Sequence, residues 1–294
     1  MVGLAIGDAL GAATEFMSGP SVADLYGVVR DYQPTMHFDT GEFTDDTSMA
    51  LAMAESIIEA GAVDIESIAD AFVNWMRTDG RGIGNLTRRA LALIEDGTSP
   101  LEAGRRAWEQ SGRTSAGNGA VMRCAPIGLL DRQDQDVLVR DSVATSRITH
   151  YDPRCCGSCI AVNTAISAIL REDDDPLGAA LRPIAGHLAE LEQALADSRL
   201  EDLDQMRLDG EDMGYTILTT RVAFTALRQF DSFEEGIIAI VNKGGDADTN
   251  AAVAGALLGA KYGFEGLPAR WVEGLIGLDR VLSAANGLHD LAAQ

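Results

Sequence analysis

Apolar residues recur along most of this chain at steps of three and four, and this spacing restricts its fold more than any other feature. After Asp64, the apolar positions between residues 65 and 76 fall on one face of a helix. The same period predicts further helices over residues 44–60, 87–95, 119–130, 136–148, 155–170, 214–230, 234–242, 249–262 and 268–284. Residues 28–32 come nearest to the two-residue alternation of a strand, and even there the match is weak. We therefore predict an all-α fold.

Domain organisation follows from length and the absence of linkers. A chain of 294 residues has room for two domains of roughly 150 residues each. However, no Pro-, Gly- or Ser-rich stretch is long enough to act as a linker. Hydrophobic residues make up 46% of the chain, which is enough for a large core without disulfides. We predict one compact helical domain over residues 1–294, with N-caps that include Asp64, Ser232 and Asp248.

Charge and hydropathy limit the partners. The formal net charge of −22 repels phosphate backbones, so we expect no nucleic acid to wrap around this protein. No uninterrupted apolar run reaches the roughly 18 residues of a membrane span. The apolar N-terminus contains Asp8 and Glu15 and lacks a basic start, unlike a signal peptide. Three of the four cysteines, at 155, 156 and 159, lie in one apolar stretch without zinc-site spacing. We therefore expect buried thiols and a cytoplasmic protein.

Two acidic clusters open predicted helices. Asp45 and Asp46 precede one helix, and Asp246 and Asp248 precede another. N-capping alone would explain one acid in each place, but two acids with adjacent threonines exceed what a cap requires. Oxygen ligands of this kind suit Mg²⁺ or Mn²⁺. Neighbouring acids do not share a helical face, so they can converge only at the helix starts. If the two starts meet, repulsion raises some carboxyl pKa values unless cations intervene.

Glycines accompany polar residues at three junctions beside apolar helices, at residues 3–15, 114–123 and 244–250. Glycine at such places predicts a close backbone approach to another helix or to a ligand.

Six motifs occur in a specific order along the chain. They are GDALGAATEF at 7–16, TDDT at 44–47, GNGAVMR at 117–123, TH at 149–150, GY at 214–215 and GGDADT at 244–249. This ordered set resembles the ADP-ribosylglycohydrolase family, in particular its bacterial branch that includes the dinitrogenase reductase-activating glycohydrolase.

The resemblance implies a compact all-α domain with two Mg²⁺ or Mn²⁺ ions in a cleft. It implies metal ligands at Thr44, Asp45, Asp46, Asp246, Asp248 and Thr249, and catalytic roles for Glu15, Asp45 and Asp246. Substrate contacts are implied at Ser115, Gly117, Asn118, Gly119, Met122, His150 and Tyr215. Amides at 117–119 would donate to pyrophosphate oxygens.

The implied activity is hydrolysis of the bond between ADP-ribose and a modified target, in the first place ADP-ribosyl-arginine or ADP-ribosyl-guanidine. The substrate is then an ADP-ribose-bearing protein or small molecule. ADP-ribosyl-serine and O-acetyl-ADP-ribose are alternative substrates, and a non-catalytic ADP-ribose-binding or structural member is the third alternative. The sequence does not indicate an oligomeric state.

One position departs from the family pattern. Many arginine-directed relatives carry an aspartate where this chain has Gly82, and its loss would weaken pairing with a guanidinium. Other readings also stay open from the residues alone: Glu15 as a surface acid on the first helix, His150 as a turn residue, Tyr215 as a core aromatic. For Arg123 we favour a structural ion pair over a phosphate contact.

Overall fold

The computed structural model describes residues 1–130 and 134–293, and in this part of the chain every regular element is helical. The α-helices are α1 (Val2–Gly11), α2 (Gly19–Tyr26), α3 (Asp45–Ala60), α4 (Ile65–Thr78), α5 (Asn85–Glu95), α6 (Pro100–Gln110), α7 (Ala125–Leu130), α8 (Gln135–Arg147), α9 (Pro153–Leu170), α10 (Pro176–Leu181), α11 (Ala189–Asp197), α12 (Thr216–Gln229), α13 (Phe233–Val241), α14 (Ala247–Tyr262), α15 (Ala269–Gly274) and α16 (Leu278–Ala292). Single 3-10 turns lie at Val121–Arg123, Arg182–Ile184, Leu203–Gln205 and Phe264–Gly266. The all-α prediction is confirmed.

Two helices, α9 and α14, form the centre of the packing. Helix α14 contacts α1, α12, α13 and α9, and its residues from Ala247 to Leu258 are all buried. Helix α9 is long and apolar enough to cross a membrane by composition, yet 78% of it is buried inside the protein. A helix that is apolar all round is typical of a core position. The four cysteines are buried and free of disulfides, as predicted.

Helices α1 and α14 approach each other unusually closely. Gly3, Gly7 and Gly11 recur along one face of α1, and a methyl group at Gly7 would lie only 2.0 Å from the carbonyl oxygen of Ala251. A methyl group at Gly11 would lie 2.4 Å from the Cα atom of Asp248. The predicted glycine-mediated approach is therefore to another helix. It brings the end of α1 against the acidic start of α14.

We expect Gly7→Ala to destabilise the fold, because the added carbon must push two buried helices apart. Overpacking of this kind costs about 1–3 kcal/mol, which corresponds to a melting temperature lower by roughly 2–10 °C in a domain of this size. Thermal unfolding followed by circular dichroism measures the change. Gly287→Ala is the matched control, because its methyl group meets only the movable Ile58 side chain. Equal melting temperatures for Gly7→Ala and the wild type would contradict the close packing.

Helix ends differ from the predicted ones in identifiable places. The helix predicted over 119–130 is a 3-10 turn followed by α7, because Pro126 cannot continue a preceding helix. The helix predicted over 268–284 is divided into α15 and α16, with Gly277 at a φ of 83° between them.

Asp64 and Ser232 are N-caps, as predicted. Asp248 is not, because α14 starts one residue before it and Asp246 takes the N-cap position. Helices α2, α6, α10 and α11 were not predicted, and residues 28–32 form no strand.

Candidate metal centre and cleft

The two acidic helix starts meet in the folded protein. The hydroxyl group of Thr44, at the N-cap of α3, lies 3.5 Å from Oδ2 of Asp248 in α14. The hydroxyl group of Thr249 lies 3.5 Å from Oδ2 of Asp46. Side chains separated by about 200 positions in the sequence thus share one site. This is the spatial arrangement on which the metal-site prediction depends.

Asp8 joins these acids and was not predicted as a site residue. It lies in the middle of α1 and is completely buried. Its carboxylate accepts hydrogen bonds from the backbone amides of Thr44 and Thr47, both at 2.9 Å, and from the hydroxyl of Thr47 at 2.6 Å. Asp8 therefore caps α3 from another helix. The signal for it was an aspartate inside an otherwise apolar helical stretch.

Two groups of three carboxylates have the spacing of cation sites. Oxygens of Asp8, Asp46 and Asp248 lie within 4.8 Å of one another, as do oxygens of Glu15, Asp246 and Asp248. Asp248 belongs to both groups. Moreover, Oδ1 of Asp46 and Oδ1 of Asp248 are buried without a hydrogen-bond partner. Unpaired buried carboxylate oxygens are costly unless a cation compensates them, so these residues fit a metal-binding role.

Burial and mutual repulsion make the carboxyl groups hard to ionise without cations. Burial, followed by the charge of Asp246, raises the pKa of Glu15 to about 8. Burial, followed by the charge of Asp8, raises the pKa of Asp45 to about 7. Burial, followed by the charge of Asp8, raises the pKa of Asp46 well above its usual range. Burial, followed by the charge of Glu15, does the same to the pKa of Asp248. The crowding expected from the sequence is present.

In a chelator, we expect thermal stability to fall as the pH rises from about 5 to about 8. Carboxyl groups with raised pKa values bind more protons in the folded protein than in the unfolded chain. Their stabilising contribution is complete below their ordinary values of 3.8 and 4.5, and it is lost as the pH rises through about 7 for Asp45 and about 8 for Glu15. Melting temperatures measured across this range, with EDTA and with saturating Mg²⁺, test the expectation.

Saturating Mg²⁺ is expected to flatten this pH dependence, because cations then balance the carboxylates in place of protons. Two groups act in the opposite direction, because burial lowers the pKa of His150 to about 3 and that of the Met1 amine to about 6, so their contributions to stability rise with pH. They act with and without Mg²⁺ alike, so the difference between the two profiles reports the carboxylates. Coinciding profiles in EDTA and in Mg²⁺ would contradict the raised pKa values.

A cleft of about 290 Å³ opens beside the carboxylates. Among the predicted site residues, its lining includes Glu15, Asp45, Asp46, Ser115, Gly117, Asn118, Gly119, Met122, His150, Asp246, Asp248 and Thr249. The lining also includes Gly82, which the sequence singled out as a departure from the family pattern, and residues that it did not indicate: Phe16, Gly84, Asn85, Leu86 and Thr87. Thr44 is buried behind the acids.

Tyr215 lies outside this lining. Its hydroxyl donates to Glu190 at 2.7 Å, and the guanidinium of Arg154 lies 5.6 Å from its ring centroid. Its backbone forms an isolated bridge with Gly117. The structure therefore connects Tyr215 to the cleft through the backbone only.

Asn118 connects the glycine loop to the acids. Its side-chain amide donates to Oδ2 of Asp246 at 2.7 Å and to the hydroxyl of Thr219 at 3.0 Å. Its backbone N–H donates to the carbonyl oxygen of Gly214 at 3.1 Å. These donors are engaged within the protein, unlike the free pyrophosphate donor expected at this residue. The side chain of Asn118 instead orients Asp246.

Glu15 lies beyond the first helix, in the tight turn after α1. The next residue, Phe16, has a φ of 59° and is 69% exposed at the rim of the cleft. Its backbone N–H donates to the carbonyl oxygen of Gly245 at 2.6 Å. A left-handed conformation is uncommon for a bulky residue and is often found at functional sites. This turn directs Glu15 towards Asp246 and Asp248.

Gly82 lies directly against the carboxylate of Asp45, a contact that the sequence did not indicate. It has a φ of 79°, and a side chain there would begin 2.3 Å from Oδ1 of Asp45. The carboxylate of Asp45 therefore occupies the space in which a side chain at position 82 would start. An aspartate at this position would require Asp45 to move.

Comparison with known proteins identifies the family of this chain. The family model described as ADP-ribosylglycohydrolase matches residues 1–294. The chain is 32% identical to the ADP-ribosylarginine hydrolase Tri1 of Serratia proteamaculans, covering 100% of this chain and 79% of that protein. It is 30% identical to the ADP-ribosyl-[dinitrogen reductase] glycohydrolase of Rhodospirillum rubrum, covering 93% and 88%. A solved structure titled "ADP-ribosylglycohydrolase-related protein complex" matches with a TM-score of 0.81 and 31% identity, covering 99% of this chain and 95% of that one.

Proposed function

Because the chain belongs to the ADP-ribosylglycohydrolase family, and is thus a hydrolase of that family, we propose that it releases ADP-ribose from a modified arginine or guanidine. The observation that carries this proposal is the meeting of two acidic helix starts, with Glu15 beside them on the cleft. The modified group belongs to a protein or to a small molecule that reaches this cleft.

The proposed cofactor is a pair of Mg²⁺ or Mn²⁺ ions. Two overlapping carboxylate groups that share Asp248 support the number, and a ligand set of carboxylate and hydroxyl oxygens supports the choice of metal. The residues proposed to hold the ions are Thr44, Asp45, Asp46, Asp246, Asp248 and Thr249, to which the structure adds Asp8. Held by these residues, divalent cations would supply Lewis-acid polarisation of substrate oxygens and a lowered pKa for a bound water.

The proposed roles of the chain's own residues follow from their positions. A carboxyl oxygen of Glu15 takes a proton from the attacking water or delivers one to the leaving group, as general acid–base catalysis requires. Asn118 holds the carboxylate of Asp246 in place through a 2.7 Å hydrogen bond. The surrounding carboxylates favour the positive charge that develops at the ribose carbon in an oxocarbenium-like transition state.

Two observations support arginine or guanidine as the leaving group. Relatives at 30–32% identity are named for ADP-ribosylarginine and for dinitrogen reductase. In addition, the carboxylate of Asp45 borders the cleft beside Gly82, and its charge attracts a guanidinium. The missing side chain at Gly82 favours a second candidate, in which the leaving group is a serine hydroxyl or an acetate.

We also propose that the protein acts in the cytoplasm. Four cysteines that are buried and free of disulfides support a reducing compartment.

The test is to incubate the purified protein with Mg²⁺ or Mn²⁺ and, separately, with ADP-ribosyl-arginine, ADP-ribosyl-serine and O-acetyl-ADP-ribose. Released ADP-ribose is then measured over time. We expect the highest kcat/KM for the arginine conjugate. A clear preference for either of the other two would replace this proposal by the second candidate. Calorimetric binding of ADP-ribose without release from any conjugate would identify a non-catalytic member.

A further inference from the structure

Arg123 is a completely buried arginine whose partners are all uncharged. Its guanidinium donates to the carbonyl oxygen of Gly119 at 2.8 Å and to the hydroxyl of Thr149 at 2.6 Å. It also lies 4.6 Å from the ring centroid of Phe72 and 3.7 Å from the sulfur of Met49. Among the described residues no carboxylate is in direct contact with it, so the structural ion pair favoured from the sequence is wrong; the charge of Asp45 acts on it from a greater distance. Burying a guanidinium without a carboxylate in contact is unfavourable, so packing alone does not explain it.

The hydroxyl of Thr149 connects this arginine to His150. It lies 2.6 Å from Nη2 of Arg123 and 2.8 Å from Nδ1 of His150. A guanidinium can only donate hydrogen bonds, so the threonine oxygen accepts from Arg123. A hydroxyl oxygen can accept two hydrogen bonds, but among the described contacts the proton of the Thr149 hydroxyl has no acceptor other than Nδ1 of His150, so Nδ1 accepts it. A neutral imidazole that accepts at Nδ1 carries its proton on Nε2.

The Nε2 edge of His150 faces the glycine loop of the cleft. A methyl group on Gly119 would lie 3.1 Å from Nε2, and one on Gly117 would lie 3.6 Å from it. Because these positions carry no side chain, the cleft reaches the edge of the ring. Burial, followed by the charge of Arg123, lowers the pKa of His150 to about 3. The ring therefore stays neutral at ordinary pH.

We propose that Arg123 and Thr149 are positioning residues that hold His150 in its Nε2–H tautomer, so that the ring offers one fixed donor to an acceptor oxygen of ADP-ribose. Phosphate oxygens only accept hydrogen bonds at neutral pH, so a locked donor suits them. In the opposite tautomer, the lone pair of Nε2 would face these oxygens. The identity of the ligand rests on the proposed function, whereas the tautomer does not.

Nitrogen NMR measures the tautomer directly. The chain has four histidines, so the signals of His150 in ¹⁵N-labelled protein with Mg²⁺ are identified by their loss in His150→Phe. We expect the proton on Nε2 in the wild type and in Thr149→Ser, which keeps the hydroxyl. We expect a mixture of tautomers in Thr149→Val, which keeps the shape but not the hydroxyl. Arg123→Met, which removes the donor next to Phe72, is expected to give a mixture as well.

Calorimetric titration with ADP-ribose measures the consequence for binding. In Thr149→Val, affinity falls by the inverse of the fraction of molecules that carry the proton on Nε2, which is about twofold for an equal mixture and up to about tenfold where the Nδ1–H form dominates. Thr149→Ser is expected to bind with the affinity of the wild type. Thr145→Val is the matched control, because Thr145 is also buried and its hydroxyl donates only within its own helix. Circular dichroism establishes that each variant is folded.

A proton on Nδ1 in the wild type would overturn the proposal. So would wild-type affinity for ADP-ribose in Thr149→Val. Failure of the proposed function gives a different pattern, in which no ADP-ribosyl conjugate is cleaved while the Nε2–H tautomer and its loss in Thr149→Val are observed. The two outcomes are therefore separable.

Discussion

Asp248→Asn is expected to lower cation-dependent activity strongly, reducing kcat/KM by about 10²- to 10⁴-fold. Asp248 belongs to both carboxylate groups of the site, so the change weakens both proposed cation positions. Losing even a residue behind a metal ligand lowers affinity or activity about 10- to 100-fold. Loss of a ligand that serves both cation positions should lower kcat/KM by roughly the product of two such factors. Release of ADP-ribose from ADP-ribosyl-arginine at saturating Mg²⁺ measures the effect.

The same variant is expected to change thermal stability in opposite directions with and without cations. In EDTA its melting temperature should exceed that of the wild type, because a buried carboxyl group repelled by Glu15 and Asp46 has been neutralised. With Mg²⁺ at 100 times its dissociation constant, the wild type gains about 2.7 kcal/mol, or roughly 5–10 °C. The variant should gain little of this.

The matched control is Asp24→Asn, which makes the same chemical change on the exposed surface of α2. It should preserve activity and the stabilisation by Mg²⁺. If Asp248→Asn keeps the wild-type rate and the wild-type response to Mg²⁺, the cation centre lies elsewhere in the protein.

The meeting of the two acidic clusters could be predicted from the sequence because their residues stand at helix starts. Asp45 follows Thr44, and Asp246 follows two glycines. An acid at such a place can cap a helix and interact favourably with its dipole, so it is recognisable from the sequence. Asp8 was missed because the same reasoning looks only at helix ends. Its role arises from the backbone of another helix, which local periodicity does not reveal.

Interactions between distant segments explain the remaining differences. Gly82 was interpreted as a missing carboxylate, but the side chain of Asp45 fills the space that a side chain at position 82 would occupy. For Arg123, a structural ion pair was favoured over a phosphate contact, because its position after Met122 inside a predicted helix allows pairing with an acid. Its actual partners, Gly119 and Thr149, are known only once the loop and the end of α8 are placed together. The predicted helix boundaries were wrong where Pro126 interrupts a helix within a continuous apolar pattern.

Glu15→Gln is the second change for which we expect a large effect, a fall in kcat of about 10²- to 10⁴-fold, as is typical for loss of a general acid or base. The amide keeps the shape of the side chain in the turn after α1 but cannot carry the proton. Because Glu15 borders the cleft without closing it, KM for the ADP-ribosyl conjugate and the affinity for Mg²⁺ should stay within a few-fold of the wild type. Rate measurements and calorimetry test the two parts separately.

The pH profile distinguishes a proton carrier from a cation ligand. Without cations, the pKa of Glu15 is raised to about 8 by burial and then by Asp246 and Asp45. Bound cations oppose that repulsion and lower it. One limb of the wild-type profile of kcat/KM should therefore move to lower pH when Mg²⁺ replaces a weaker-binding cation, and this limb should be missing in Glu15→Gln. Glu211→Gln, on the exposed surface, should leave it unchanged.

The alternative role has its own signature. Glu15 shares one carboxylate group with Asp246 and Asp248, so it has the position of a third ligand as well as that of a proton carrier. If it is mainly a ligand, Glu15→Gln should lose Mg²⁺ affinity as Asp248→Asn does, and high Mg²⁺ should restore part of kcat. If it carries the proton, added Mg²⁺ cannot restore kcat, because the missing group is not the cation. The turn that holds Phe16 in a left-handed conformation favours the second outcome, since it directs a single carboxyl group at the point where the cleft meets the acids.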